Sequence, residues 1–363
     1  MSTGVAWCAL GACGDNIGVL ADAPAEALPF HSAPHVQLPT ISDHAQMVLA
    51  QVQLVTVTFE DDPARPVAEA FGDAAPRSAW YATVGAEYRV SVPAESKAPQ
   101  RLRLGPAPAM VDRATIAELV PATPLADPDV LYLIYIPPTV GRAPELIGVA
   151  GYHAVVRRGE LEIPYAVVLD NNLVRDPAAL TTNAGRQLIN AVTNPFPAPR
   201  DGYYLDALAI DPWSLVVGGP ADLCVHESPV VDQGITYPLI YSNAFALEGF
   251  PCKPGRPDDP WSDVTAKPAQ LPKVARDSTI TFVLTGWSTQ PAADWQLETR
   301  ASERSAFTKE QMQPVFSEDA INNGRSVTLT LHVPPDAASD LAGGVYVLSG
   351  VNRHPWAVGF IVR

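Results

Sequence analysis

The run DVLYLIYIPP at residues 129–138 constrains the fold more than any other segment. Its nearly unbroken apolar stretch reads as a strand, stopped at Pro137 and Pro138, because proline has no amide N–H to give to a ladder. Residues 48–59, VLAQVQLVTVTF, read as an earlier strand in which β-branched residues recur with partial alternation. Two shorter candidates follow at 152–157 and 164–169. A helix is expected over 76–88, entered at Pro76, with Ala79, Trp80, Val84 and Tyr88 on its core face. A second is expected at about 182–192, capped by Thr181 or Thr182, with Ala184, Leu188, Ala191 and Val192 on overlapping faces. Strands leading into that helix predict α/β organisation. Residues 194–275 lack sustained periodicity and read as long loops.

The last part of the chain has another rhythm. Strands are expected at 278–286, 294–300, 326–333, 344–350 and 355–362, and their lengths and turns fit a small antiparallel β-sandwich. Trp287, Trp295 and Trp356 read as core or sheet-edge packing rather than exposed ligand platforms. The expected division is a leader and flexible tether at 1–35, an α/β domain at 36–275 and the sandwich at 276–363. The chain's 37 prolines, roughly twice the usual share of about 5%, require many loops. The net charge of −15 argues against a nucleic-acid partner, since backbone binders concentrate basic charge.

Leu10, Gly11, Ala12 and Cys13 resemble the cleavage box of a bacterial lipoprotein. In that reading Cys13 carries a lipid and attaches the protein to a membrane. The segment before it has no Lys or Arg and is short for an export signal, so the alternative is a frayed terminus with Cys8 and Cys13 as small apolar residues. Cys224 and Cys252 stand 28 positions apart. They are either a disulfide, as an exported protein would allow, or separate thiols.

Several segments of the central region occur in a characteristic order: SAWYATVGAEY at 78–88, LYLIYIPP at 131–138, GYHAVV at 151–156, IPYAVVLD at 163–170, INAVTNP at 189–195, GYY at 202–204 and ADLC at 221–224. Together, over approximately residues 45–252, they resemble a family of secreted bacterial zinc-metallopeptidase-like proteins. The resemblance implies a zinc-peptidase-like α/β (α+β) central domain followed by the antiparallel sandwich. It also implies a His-Glu-x-x-Glu metal motif just before AVTNP. Here Arg186 stands in place of the histidine, Gln187 in place of the adjacent glutamate and Asn190 in place of the later one. Zinc needs electron-donating ligands around one centre, and a neighbouring carboxylate must take the proton of the bound water. Arg186 offers only cationic donors, Gln187 cannot take up that proton and Asn190 carries no charge. Where the pattern asks for an acid shortly before ADLC, Gly219 is the nearest residue.

Tyr152, His153 and Tyr203 or Tyr204, with Asp170 or Asp222, could line the remaining cleft. Packed rings and turn-capping carboxylates are the plainer reading of the same residues. The sequence therefore predicts a noncatalytic cell-envelope or extracellular binding protein with no catalytic residue, no metal and no cofactor. Its partner would be a peptide or an envelope protein. The alternatives are a zinc-dependent peptidase with ligands displaced to residues such as His153, Asp170 or Asp222, and a structural surface scaffold.

Overall fold

The apolar runs of the central region assemble as one five-stranded sheet in a computed structural model of the chain. It describes residues 29–363 apart from 124, 126, 170–175, 197–199, 217, 249, 256–260 and 351–352. Cys13 and Asp170 thus lie outside the described residues. In chain order the main elements of this half are β1 (Gln53–Phe59), α1 (Arg65–Ala74), α2 (Ala79–Gly85), β2 (Gln100–Leu104), α3 (Arg113–Glu118), β3 (Val130–Tyr135), β4 (Gly151–Arg158), β5 (Leu161–Val168) and α4 (Pro177–Thr193). The sheet order is β2-β1-β3-β5-β4, parallel throughout except for β4, which runs antiparallel to β5 at the edge. Alternation along β3 explains its unbroken hydrophobicity. Leu131, Leu133 and Tyr135 enter the cluster that also holds α1, α2 and α4 residues, while Val130, Tyr132 and Ile134 enter a second cluster with Ile116 of α3.

Helix boundaries depart from the sequence expectations where caps decide them. The single helix expected over 76–88 is a short 3₁₀ turn at Ala75–Arg77, then α2, then a second 3₁₀ turn at Ala86–Tyr88. Ser78 is extended, and its hydroxyl accepts from the Tyr81 amide at 3.0 Å, so it starts a new helix where a continuous one was expected. Trp80, Val84 and Tyr88 are buried, but Ala79 is exposed. Similarly, α4 begins at Pro177, earlier than Thr181 or Thr182, because Asp176 caps it by accepting from the Ala178 amide at 3.0 Å. Helix α1 went unpredicted. Ala64 gives it no side-chain cap, and its contact with β1 runs through Gly72, where an added Cβ would lie 1.8 Å from Thr56 Oγ1.

The sandwich is built from β6 (Ser262–Lys267), β7 (Thr279–Ser288), β8 (Trp295–Ala301), β9 (Ser326–His332), β10 (Ala342–Ser349) and β11 (His354–Val362). All five strands expected here are present; β6 comes from the stretch read as loop. One sheet runs β6-β7-β9 and ends on Val315–Phe316, and the other runs β11-β10-β8 with short edge strands at Lys273–Val274 and Ala320–Ile321. The Lys273–Val274 strand pairs parallel to β11, and the other pairings are antiparallel. In β9, Val327, Leu329 and Leu331 face the core, while Ser326 is exposed and Thr328, Thr330 and His332 are half-buried. Trp287, Trp295 and Trp356 are all buried.

β10 and β11 are buried along nearly their whole length. The 3₁₀ turn Pro212–Leu215 packs onto them, and Gly344 and Gly359 make room for it: added Cβ atoms would come within 2.4 and 2.6 Å of Leu215 Cδ1. Residues of both halves consequently share one apolar cluster, and Ser32–Arg363 form one compact unit. Polar groups are also sealed there. His354 Nδ1 lies 2.9 Å from Asp263 Oδ2 with neither side chain exposed, and His35 packs against Trp287 at 4.4 Å between ring centres.

Candidate functional site

Four residues of α4 face the same place because they lie one helical turn apart. Arg186 and Asn190 form one i, i+4 pair and Asn183 and Gln187 another. Gln187 donates to Asn183 Oδ1 at 3.3 Å, and Asn183 donates to the carbonyl of Ala150 at 2.8 Å, tying the helix to the start of β4. Arg186 and Asn190 point at Asp222. One carboxylate oxygen, Oδ1, accepts from Arg186 Nε at 2.9 Å and from Asn190 Nδ2 at 3.0 Å, and lies 2.8 Å from Arg186 Nη2. The other oxygen accepts from the Gly219 amide at 3.0 Å, and Asn190 Oδ1 accepts from the Ala221 amide at 3.0 Å.

The turn carrying Asp222 is held from outside. Cys224 is bonded to Cys252, with Cα atoms 5.9 Å apart, and the Tyr241 amide donates to Pro220 at 3.0 Å. Gly219 is required by contact rather than by conformation. A Cβ there would lie 2.4 Å from Asn190 Oδ1 and 2.9 Å from Asp222 Oδ2. An acidic side chain at position 219 is incompatible with this packing.

These residues open onto a cleft of about 600 Å³ between α4, β4 and the sandwich. Of the residues singled out in the sequence, Tyr152, His153 and Tyr204 line it together with Arg186, Gln187, Asn190 and Asp222. Tyr203 does not. Neighbouring positions on a strand face opposite ways, and Tyr203 turns inward to pack edge-on against Tyr88 at 5.0 Å, its hydroxyl donating to Asp43 at 3.2 Å. His153 is held neutral: burial pulls its pKa down, opposed by the Asp222 charge and a bond to the Asn194 carbonyl. Its Nε2 is shielded from solvent and has no hydrogen-bond partner among the described residues. Burial alone would lower the Arg186 pKa, but Asp222 and Glu303 outweigh it and fix the guanidinium as a cation.

Sequence reasoning missed two further lining residues, Arg113 and Glu303. The Arg113 guanidinium lies over the Tyr152 ring at 4.3 Å, and Glu303 accepts from the Tyr346 hydroxyl. Both come from segments remote in sequence from α4, and neither belongs to a motif that could have announced it.

The donors do not fit a zinc ion. Asp222 is already committed to a fixed cation, and among the described residues no three His, Cys, Asp or Glu side chains are grouped to hold a metal. Nor does any described helix have the length and apolarity to cross a membrane.

No family model and no curated protein sequence matches the chain. Among solved structures it is similar to domains 5–6 of the S-layer protein SbsC, at 14% identity and a TM-score of 0.22. That match covers 29% of this chain and 45% of the other, a likeness too slight to inform the fold or the site.

Proposed function

We propose that the chain is a noncatalytic binding protein of the cell envelope or extracellular space, related to zinc-metallopeptidase-like proteins and using the cleft beside α4 to hold a peptide or a segment of an envelope protein. The observation that carries this reading is the buried Arg186–Asp222–Asn190 cluster. A permanent cation and a neutral amide stand at the positions where the resemblance calls for metal ligands, and beside them lies a cleft within the size range of ligand sites. The Cys224–Cys252 disulfide supports an oxidising compartment, because such bonds persist outside the cytosol. Lipid attachment at Cys13 belongs to the same proposal. Mass spectrometry of native membrane fractions is expected to find the chain processed at Cys13 with a lipid adduct, and an intact Met1 terminus in soluble cytoplasm would overturn it.

The experiment for the function is capture of peptides from an envelope extract digest by the oxidised full chain, run beside a broad peptide-cleavage assay. Retention without cleavage is expected. Cleavage would favour a peptidase with displaced ligands, and neither retention nor cleavage would favour a scaffold.

A further inference from the structure

We propose that the cleft recognises a peptide carboxylate through Arg113 and Arg186. This rests on the binding role above and adds the chemistry of the ligand.

Several hydrogen-bonding groups of the cleft are already engaged within the protein. Asp222 accepts from Arg186, Asn190 and Gly219. Both ends of the Asn190 amide are used, on Asp222 and Ala221. Asn194 is closed in the same way, donating to Asp201 at 3.1 Å and accepting from the Gly202 amide at 2.8 Å. The main acceptors and amides among them are thus engaged within the protein.

The guanidinium groups differ. A guanidinium has five N–H donors, and Arg186 turns Nε and Nη2 toward a single oxygen of Asp222 while keeping 19% of its side chain exposed. Among the described residues Nη1 makes no hydrogen bond, so its donors can serve a ligand. Arg113 is exposed and makes no salt bridge among the described residues, and its guanidinium lies over the Tyr152 ring. Two planar donor forks on one cleft suit a planar carboxylate.

Charge balance narrows the class. Arg113 and Arg186 are offset by Asp222 and Glu303, so the lining tolerates one added negative charge better than the two of a phosphate monoester. Glu303 also has acceptor capacity beyond its bond from Tyr346, which suits a peptide N–H next to the carboxylate. The carboxylate can be a chain terminus or an Asp or Glu side chain.

The test uses three N-acetylated random pentapeptide pools equilibrated by dialysis against the oxidised full chain. One lacks Asp and Glu and has a free C-terminus, the second lacks them and is C-terminally amidated, and the third contains them and is amidated. Retention is read by mass spectrometry. Loss of a charge-assisted contact corresponds to about tenfold in affinity or more, so at least one carboxylate-bearing pool should exceed the carboxylate-free pool by that factor. The first and third pools distinguish terminus from side chain. Arg113→Ala, at an exposed position, should lower that retention about tenfold with an unchanged denaturation midpoint. Equal retention of all three pools would overturn the carboxylate inference and leave peptide binding standing. No retention of any pool would overturn both, and an Arg113→Ala variant that retains peptides like the parent would overturn the role of Arg113.

Discussion

Replacing Asp222 by alanine should destabilise the fold far more than a typical surface change. Asp222 is 4% exposed, and its carboxylate accepts from Arg186, Asn190 and the Gly219 amide. Truncation leaves the half-buried Arg186 guanidinium without its main counter-charge, and breaking a buried pair costs about 3–5 kcal/mol. Global stability is only about 5–15 kcal/mol, so the variant should lose a large part of it. The assay is equilibrium guanidinium denaturation with the disulfide kept oxidised, followed by circular dichroism and tryptophan fluorescence. A companion variant, Arg186→Met with Asp222→Leu, removes both charges and should recover much of the loss, because replacing a whole buried ion pair by apolar side chains is often neutral or stabilising. The reasoning is refuted if Asp222→Ala unfolds within about 1 kcal/mol of the parent, the worth of an exposed pair.

The remaining predictions concern pH, Gly219 and the disulfide. Burial lowers the pKa of His35, His153 and His226, the last to about 4. The unfolded chain therefore takes up these protons first as pH falls through about 6.5, and stability declines from there toward pH 4. Burial raises Glu227 and acts in the opposite sense, so the denaturation midpoint should still drop between pH 7.5 and 5.5, and more steeply in Glu227→Gln. A midpoint unchanged over that range would mean the histidines are not held neutral. Gly219→Ala puts a methyl group 2.4 Å from Asn190 Oδ1 and should cost about 1–3 kcal/mol, as overpacking does; a neutral result in the same assay would show that the turn yields. Cys224→Ser with Cys252→Ser opens a loop of 28-residue separation and should cost about 3.5 kcal/mol, read from denaturation in parallel with the oxidised parent.

Periodicity made the strands legible. The five C-terminal strands and β3, β4 and β5 follow from apolar runs bounded by turn residues, because a half-buried or fully buried strand leaves that trace in sequence. Caps were harder to read: Ser78 and Asp176 each move a helix start by several residues through one side-chain bond. β6 was hidden because its Ser-Asp-Val-Thr-Ala-Lys text is half polar, and the buried Asp263 in it is explained by remote partners, His354 some 91 residues later and His35 far upstream. At the site, the sequence offers Tyr152, His153 and Asp222 only as possible cleft residues, beside the motif positions Arg186, Gln187 and Asn190; it gives no proximity, and folding brings all six to one cleft. Tyr203 was placed in the cleft only as an alternative to its neighbour, and strand alternation separates the two. Arg113 and Glu303 are brought in by tertiary packing alone, which no local pattern records.

If, as proposed, the α4 cleft holds a fixed ion pair and no metal chemistry, the most direct measurement is zinc stoichiometry in native, tag-free protein together with peptide hydrolysis before and after chelation. The account predicts substoichiometric zinc and no hydrolysis sensitive to chelator. One bound zinc per chain, with hydrolysis abolished by chelation and restored by zinc, would contradict it.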